Sequence, residues 1–118
     1  MPMEVLWRVG VWSTGVSLFL DYFGGEVMSW IGDPTYLQLW ETATRYQLFH
    51  SVGIILASGP LGTRAAPVAG GLMGAGILLF SGTLYLHVLS DKRIKPLFLL
   101  PVGILFFAAG WTALALRR

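Results

Sequence analysis

Long apolar runs broken by short polar interruptions make up nearly the whole chain. Ala65 to Ser90 carries no formal charge between Arg64 and Asp91, and Pro96 to Leu116 is equally clean before Arg117 and Arg118. A third run lies between Arg45 and Arg64 but contains Tyr46, Gln47 and His50. The fourth, from Val5 to Phe23, is interrupted by Arg8 and Asp21. A helix crosses roughly 30 Å of hydrocarbon with about 20 apolar residues. The pattern therefore predicts four spanning helices, at about 5–23, 42–60, 66–90 and 96–116. Short connections and one longer loop, 24–41, join them. This is one all-α integral membrane domain over residues 1–118, a compact four-helix bundle.

Composition narrows the class further. Of 118 residues, 55% are hydrophobic and 12% charged, against about 25% charge in ordinary soluble domains. That excludes disorder and an ordinary cytosolic domain. The absence of cysteine excludes a disulfide scaffold, a thiolate metal site and a cysteine nucleophile. A net charge of +2 is too sparse for a nucleic-acid face. A cleaved leader would need a small-residue site where Asp21 and Tyr22 stand, so the first helix is expected to remain. Positive charges balance on the two sides, and the Lys/Arg-free first loop favours both termini inside.

Small residues mark where helices meet in lipid. At about 100° per residue, Gly10, Thr14, Ser17 and Asp21 share one stripe of the first helix. Tyr46, His50, Gly53 and Ala57 share one on the second. The third has two stripes, Gly70, Gly74, Ser81 and Tyr85 against Gly76, Thr83 and His87. The fourth aligns Gly103 and Gly110. Pro96 fits a first turn, whereas Pro101 is expected to leave the Leu97 carbonyl without its helical partner.

An up-down path gathers the polar groups at one membrane face: Asp21, Glu26, Arg45, Tyr46, Gln47, His50, Ser81 and Tyr85, with Glu41 and His87 near them. The opposite leaflet is almost wholly Gly, Ala, Leu, Ile and Phe. Glu41 and Arg45 have the spacing of a helix-supporting pair. His50, an ionisable group at depth, is costly and so a functional candidate. Its bland role is a neutral imidazole bonded to Tyr46, Ser81 or Tyr85 as glue between helices; proton relay and metal or haem ligation are the sharper alternatives. His50 and His87 do not point to one macrocycle. Asp21, Glu26 and His50 match no metal-ligand spacing. No phosphate loop, dinucleotide fingerprint or nucleophile elbow is present. No cofactor, metal or catalytic residue is expected.

Three blocks carry a family likeness: Tyr46-Gln47-Leu48-Phe49-His50, Leu79-Phe80-Ser81-Gly82-Thr83-Leu84-Tyr85, and Pro101-Val102-Gly103 followed by Ala109-Gly110-Trp111. In order and spacing the chain resembles a small integral membrane family, "domain of unknown function four-two-three". The resemblance implies four membrane helices and assigns no activity, substrate or catalytic residue. The family's first helix ends in a Gly-Ala-Phe-Gly-Ala-His-like run; here Asp21-Tyr22-Phe23-Gly24-Gly25-Glu26 stands in its place. Phe23 and Gly24 fit, and Glu26 in place of His keeps a proton acceptor.

These features predict a non-enzymatic accessory subunit of a larger membrane complex, in a bacterial or mitochondrial inner membrane. Its expected partners are the lipid bilayer and other membrane proteins. The alternative is a small transporter or proton-conducting protein using the polar cluster around His50. A membrane enzyme would need His50 to converge with Asp21 or Glu26.

Overall fold

A computed structural model describes residues 3–31, 34–58, 66–90 and 98–116. Among them the chain is helical throughout, without strands. Helix α1 (Met3–Phe19) runs through a π turn (Leu20–Gly24) into α2 (Gly25–Ile31), forming one rod. Helix α3 spans Pro34–Ser58. A third rod joins α4 (Ala66–Gly76), a second π turn (Ile77–Ser81) and α5 (Gly82–Leu89). Helix α6 (Leu99–Ala115) completes the set.

Two boundaries differ from the sequence pattern. The segment 24–41, expected as a loop, is mostly helix: the first rod continues to Ile31 and α3 begins at Pro34. Pro34 opens α3 as its first residue, where the missing N–H costs nothing. Gly24 reads as a breaker, yet it is where the rod comes closest to the Trp40 ring. A Cβ there would overlap the indole. Pro101 is the third residue of α6, so its missing N–H is one of the donors every helix start leaves unpaired; no interior bond is lost. Pro96 and the charges Arg64, Asp91, Lys92, Arg93, Lys95, Arg117 and Arg118 lie outside the described residues.

Consecutive rods pack antiparallel. Gly10 of α1 abuts Ile55 and Ser51 of α3, while Gly24 meets Trp40. Ala57 shares a cluster with Ala69, whereas Ser81 bonds Ala43. Gly110 lies against Met73, and Gly103 against Phe80. Helix α3 is the central element, flanked by α1 and by the third rod, with α6 packed on the latter.

Of the glycines expected at seams, Gly10, Gly53, Gly70, Gly103 and Gly110 each have a neighbour within 3 Å of where a Cβ would stand. Gly74 does not: nothing lies within 4 Å of that position. It faces outward because α1 touches the third rod mainly lower down, where Leu6 covers Gly70.

One end of the interior is mainly apolar, built from Leu6, Ile54, Ala57, Ala69, Met73 and Leu114, with the Ser58 hydroxyl turned onto the Ile54 carbonyl. The other is aromatic, with Met28, Tyr36, Trp40 and Val88. Buried polar residues include Ser17, Thr44, Gln47, His50, Ser51, Ser81, Thr83 and His87, while Trp12, Leu78, Phe98 and Leu105 are each about 70% exposed. A soluble domain rarely shows so much apolar exterior. By length and composition alone, Pro67–Leu89 suffices to cross a membrane; Leu99–Ala115 is apolar but shorter. The other two rods carry charges within them, Glu4, Arg8, Asp21 and Glu26 on one and Glu41 and Arg45 on the other.

Candidate functional site: a polar seam on Gln47

A π turn breaks the regular ladder of helical hydrogen bonds and presents carbonyls to other donors. In the first rod this happens at Leu20, whose carbonyl accepts a hydrogen bond from Trp40 Nε1 at 2.7 Å. The Trp40 ring in turn lies 4.9 Å from that of Tyr85, centroid to centroid. Tyr85 donates its hydroxyl to Gln47 Oε1 at 2.6 Å. The amide nitrogen of Gln47 then donates to Ser13, to its carbonyl at 3.1 Å and its Oγ at 3.2 Å. Ser13 Oγ pairs with Ser51 Oγ at 2.5 Å, and Ser51 Oγ donates to the Gln47 carbonyl. One amide side chain thus links α1, α3 and α5.

Two further bonds flank this line. Thr44 Oγ1 donates to Asp21 Oδ1 at 3.1 Å, tying the charged residue of the π turn to α3. Ser81 Oγ, in the second π turn, donates to the Ala43 carbonyl at 2.7 Å. No buried side-chain nitrogen or oxygen among the described residues lacks a partner. Such closure matters most in lipid, where an unpaired polar atom has no water to turn to.

His50 belongs to another face of α3. Its ring stacks on Phe107 with centroids 3.5 Å apart and 16° between planes. Trp111 meets it edge-on at 6.0 Å. Its Nδ1 is 2.8 Å from the Tyr46 carbonyl, and a carbonyl only accepts, so Nδ1 carries the proton of the neutral ring. Tyr46 stacks on Phe80 at 4.4 Å. His50 is therefore bonded to the Tyr46 backbone rather than to the Tyr46, Ser81 or Tyr85 hydroxyls its stripe suggested. The carbonyl one turn back lies within reach of Nδ1, and Phe107 holds the ring over it.

The expected eight-residue cluster accordingly divides. Asp21, Gln47 and Tyr85 share the seam, with Ser81 beside it. Tyr46 and His50 form the aromatic stack facing α6. Arg45 and Glu26 are on the exterior, and Arg45 Nη2 is 3.6 Å from Glu41 Oε2. The carboxylate of Asp21 is engaged on the α1 side of α3 and the imidazole on the α6 side, so the acid–imidazole convergence an interfacial enzyme would need is not formed. Among the described residues no three His, Asp or Glu side chains group as a metal site. Sequence reasoning missed Ser13, Trp40, Thr44 and Ser51. For the last three the signal was present as a second α3 stripe, Trp40, Thr44, Gln47 and Ser51, repeating every three or four residues; Ser13, on α1, has no such signal.

A helical chain with an apolar exterior, a polar interior seam and a span-length apolar rod has the character of an integral membrane protein. Comparison with known proteins makes the assignment specific. Residues 23–103 match the family model described as "Protein of unknown function (DUF423)", and the chain belongs to that family. It is 33% identical over 114 residues to a UPF0382 membrane protein of Staphylococcus haemolyticus, covering 95% of this chain and 93% of the relative. A UPF0382 membrane protein of Staphylococcus aureus is 37% identical over 114 residues, with the same coverage. YwdK of Bacillus subtilis, also a UPF0382 membrane protein, is 33% identical over 114 residues, 92% of this chain and 91% of that one. No solved structure matches. The chain is thus a membrane protein of a family whose function is unknown.

Proposed function

We propose that all four rods cross a bacterial inner membrane and that the chain is a non-catalytic accessory subunit, docking another membrane protein against its α1–α4 face. The observation that carries this reading is a contrast in how glycines are used. Gly10, Gly53, Gly103 and Gly110 are filled by neighbours within the chain, whereas Gly15, Gly71 and Gly74 have nothing within 4 Å. Gly71 and Gly74 line an open apolar groove of about 450 Å³ with Leu6, Val9, Ile54 and Leu78. Small residues let helix backbones approach closely in lipid, and here no helix of this chain takes that place. The polar interior meanwhile saturates itself, which suits a scaffold better than a substrate site.

Solubilisation in mild detergent followed by native electrophoresis tests this. The expected result is a band containing this chain and a second polypeptide, lost in Gly74→Leu while the fold persists. A band holding only this chain would overturn the proposal.

Proton or ion conduction is the second reading, favoured by the bonded line from Tyr85 through Gln47 and Ser13 to Ser51. Beyond Ser51 the interior is filled mainly by Leu6, Ile54, Ala57, Met73 and Leu114. The next buried hydroxyl, Ser58, lies two turns further on and donates to the Ile54 carbonyl of its own helix, so no side-chain bond carries the line onward. Proteoliposome flux that Gln47→Leu abolishes would raise this reading above the first.

A further inference from the structure

The outer face of α3 combines charge with depth. Gln38, Glu41, Arg45, Phe49 and Val52 lie along it at the three- and four-residue intervals of one helix face, all exposed except the partly exposed Glu41. The Arg45 and Glu41 side chains are 67% and 41% exposed and meet in a single 3.6 Å contact. Their depth follows from the packing register, given the spanning arrangement proposed above. Ser81 bonds Ala43, so these two residues share a level. Ser81 lies three residues from Leu78, the middle of Pro67–Leu89. Arg45 is two residues further along α3, towards that middle, which places its Cα on the order of 5 Å or less from the centre at 1.5 Å per residue.

An arginine this deep leans back along its helix, towards Glu41 and the nearer surface. Half the hydrocarbon thickness is about 15 Å, and one side chain does not bridge it. An ion pair turned outward at that depth is costly against acyl chains, and such groups normally face protein or a water-filled cavity. Arg45 and Glu41 face neither within this chain.

We propose that this face of α3 packs against the same face of a second copy, about a twofold axis along the membrane normal. Charge complementarity selects this partner. Rotation about the normal keeps each group at its own depth, and because Arg45 reaches back to Glu41 within 3.6 Å, both signs lie side by side at one level and can alternate with those of the second copy. Each Arg45 then sits between its own Glu41 and Glu41 of the second copy, forming a neutral ring of four charges. Phe49 and Val52 continue the contact into the apolar half. An anionic lipid headgroup satisfies Arg45 alone and sets more negative charge against Glu41, so it suits the face less well. This interface is separate from the α1–α4 groove and leaves it open.

The chain has no cysteine, which makes a clean cross-linking test available on the full protein in native membrane vesicles. Phe49→Cys should form a disulfide-linked dimer on oxidation, whereas Leu105→Cys, on the exposed face of α6, should not. In the Phe49→Cys background, Glu41→Arg or Arg45→Glu alone should lower dimer yield about tenfold, the effect of little more than 1 kcal/mol. The exchanged pair Glu41→Arg with Arg45→Glu should restore it. Equal yields from the two cysteine variants, indifference to the charge changes, or cross-linking of the Phe49→Cys variant only to another protein would each overturn the proposal. Labelling of the Phe49→Cys thiol by a membrane-impermeant maleimide distinguishes the two readings. A labelled thiol means the face is in water and the spanning arrangement itself fails. An unlabelled thiol that does not cross-link removes the second copy alone.

Discussion

Trp40 and Leu20, twenty residues apart, are joined by a 2.7 Å hydrogen bond from the indole nitrogen to a carbonyl exposed by the π turn. The bond explains two irregularities together. The first rod can depart from α-geometry because the carbonyl it releases has a donor waiting, and Gly24 lacks a side chain because the same indole occupies that space. Trp40→Phe keeps an aromatic ring but removes the donor and part of the indole that fills the space at Gly24. Its expected cost is about 1–2 kcal/mol for the polar contact between membrane helices, with the lost packing added. Gly24→Ala should cost more, since the added methyl has no room. Reversible unfolding in mixed micelles measures both.

The third and fourth rods offer a sharper steric test. A Cβ at Gly103 would stand 2.8 Å from Phe80 Cβ and 2.9 Å from Phe80 N. The second of these is backbone, so no rotamer change relieves it. Gly103→Ala should therefore destabilise by about 1–3 kcal/mol, as overpacking does. Gly71→Ala, with nothing within 4 Å, should leave the isolated protein unchanged or stabilise it by up to about 1 kcal/mol through helix propensity. Thermal unfolding of the two variants side by side separates packing glycines from outward-facing ones.

Gln47 and Tyr85 should behave as a coupled pair. Tyr85→Phe leaves Gln47 Oε1 without its 2.6 Å donor, and Gln47→Leu leaves the Tyr85 hydroxyl without its acceptor. Each single change orphans a polar atom, whereas the double change removes both. The double variant should lose less stability than the two singles added together, by about 0.6–1.7 kcal/mol. Strict additivity would mean that the seam contributes no pairwise stability.

How much of this architecture was legible beforehand depended on which physical signal each part left in the chain. The clean third and fourth apolar runs announced their rods within a few residues, because length and hydropathy are local properties. The segment 24–41 was obscured because Gly24, Gly25 and Pro34 punctuate helices only when nothing packs on them. Gly24 is helical because Trp40, distant in sequence, lies on it. Spacing put Gln47 and His50 on neighbouring faces of one helix, but what each would meet was not legible. Gln47 and His50 are three residues apart and so share much of a helix face, and only the placement of α1 and α6 sends one to Ser13 and the other to Phe107. The first π turn left no local mark, since the donor to its Leu20 carbonyl is Trp40, twenty residues away.

His50 provides the last test, because its surroundings support a packing role. The ring lies flat on Phe107 at 3.5 Å, touches Trp111 edge-on and satisfies its proton on the Tyr46 carbonyl within its own helix. A ring is what this position uses, so His50→Phe should hold the fold within about 1.5 kcal/mol. His50→Ala removes the stacked surface from Phe107 and should cost about 2–4 kcal/mol, as large-to-small changes in packed interiors do. A relay or ligand role predicts a different pattern: both variants would fail alike in any assay of proton movement or metal content, whatever their stability. Measuring unfolding and proteoliposome proton flux on the same two preparations discriminates the roles. Retained stability in His50→Phe with unchanged flux is the outcome expected of an imidazole held for its shape.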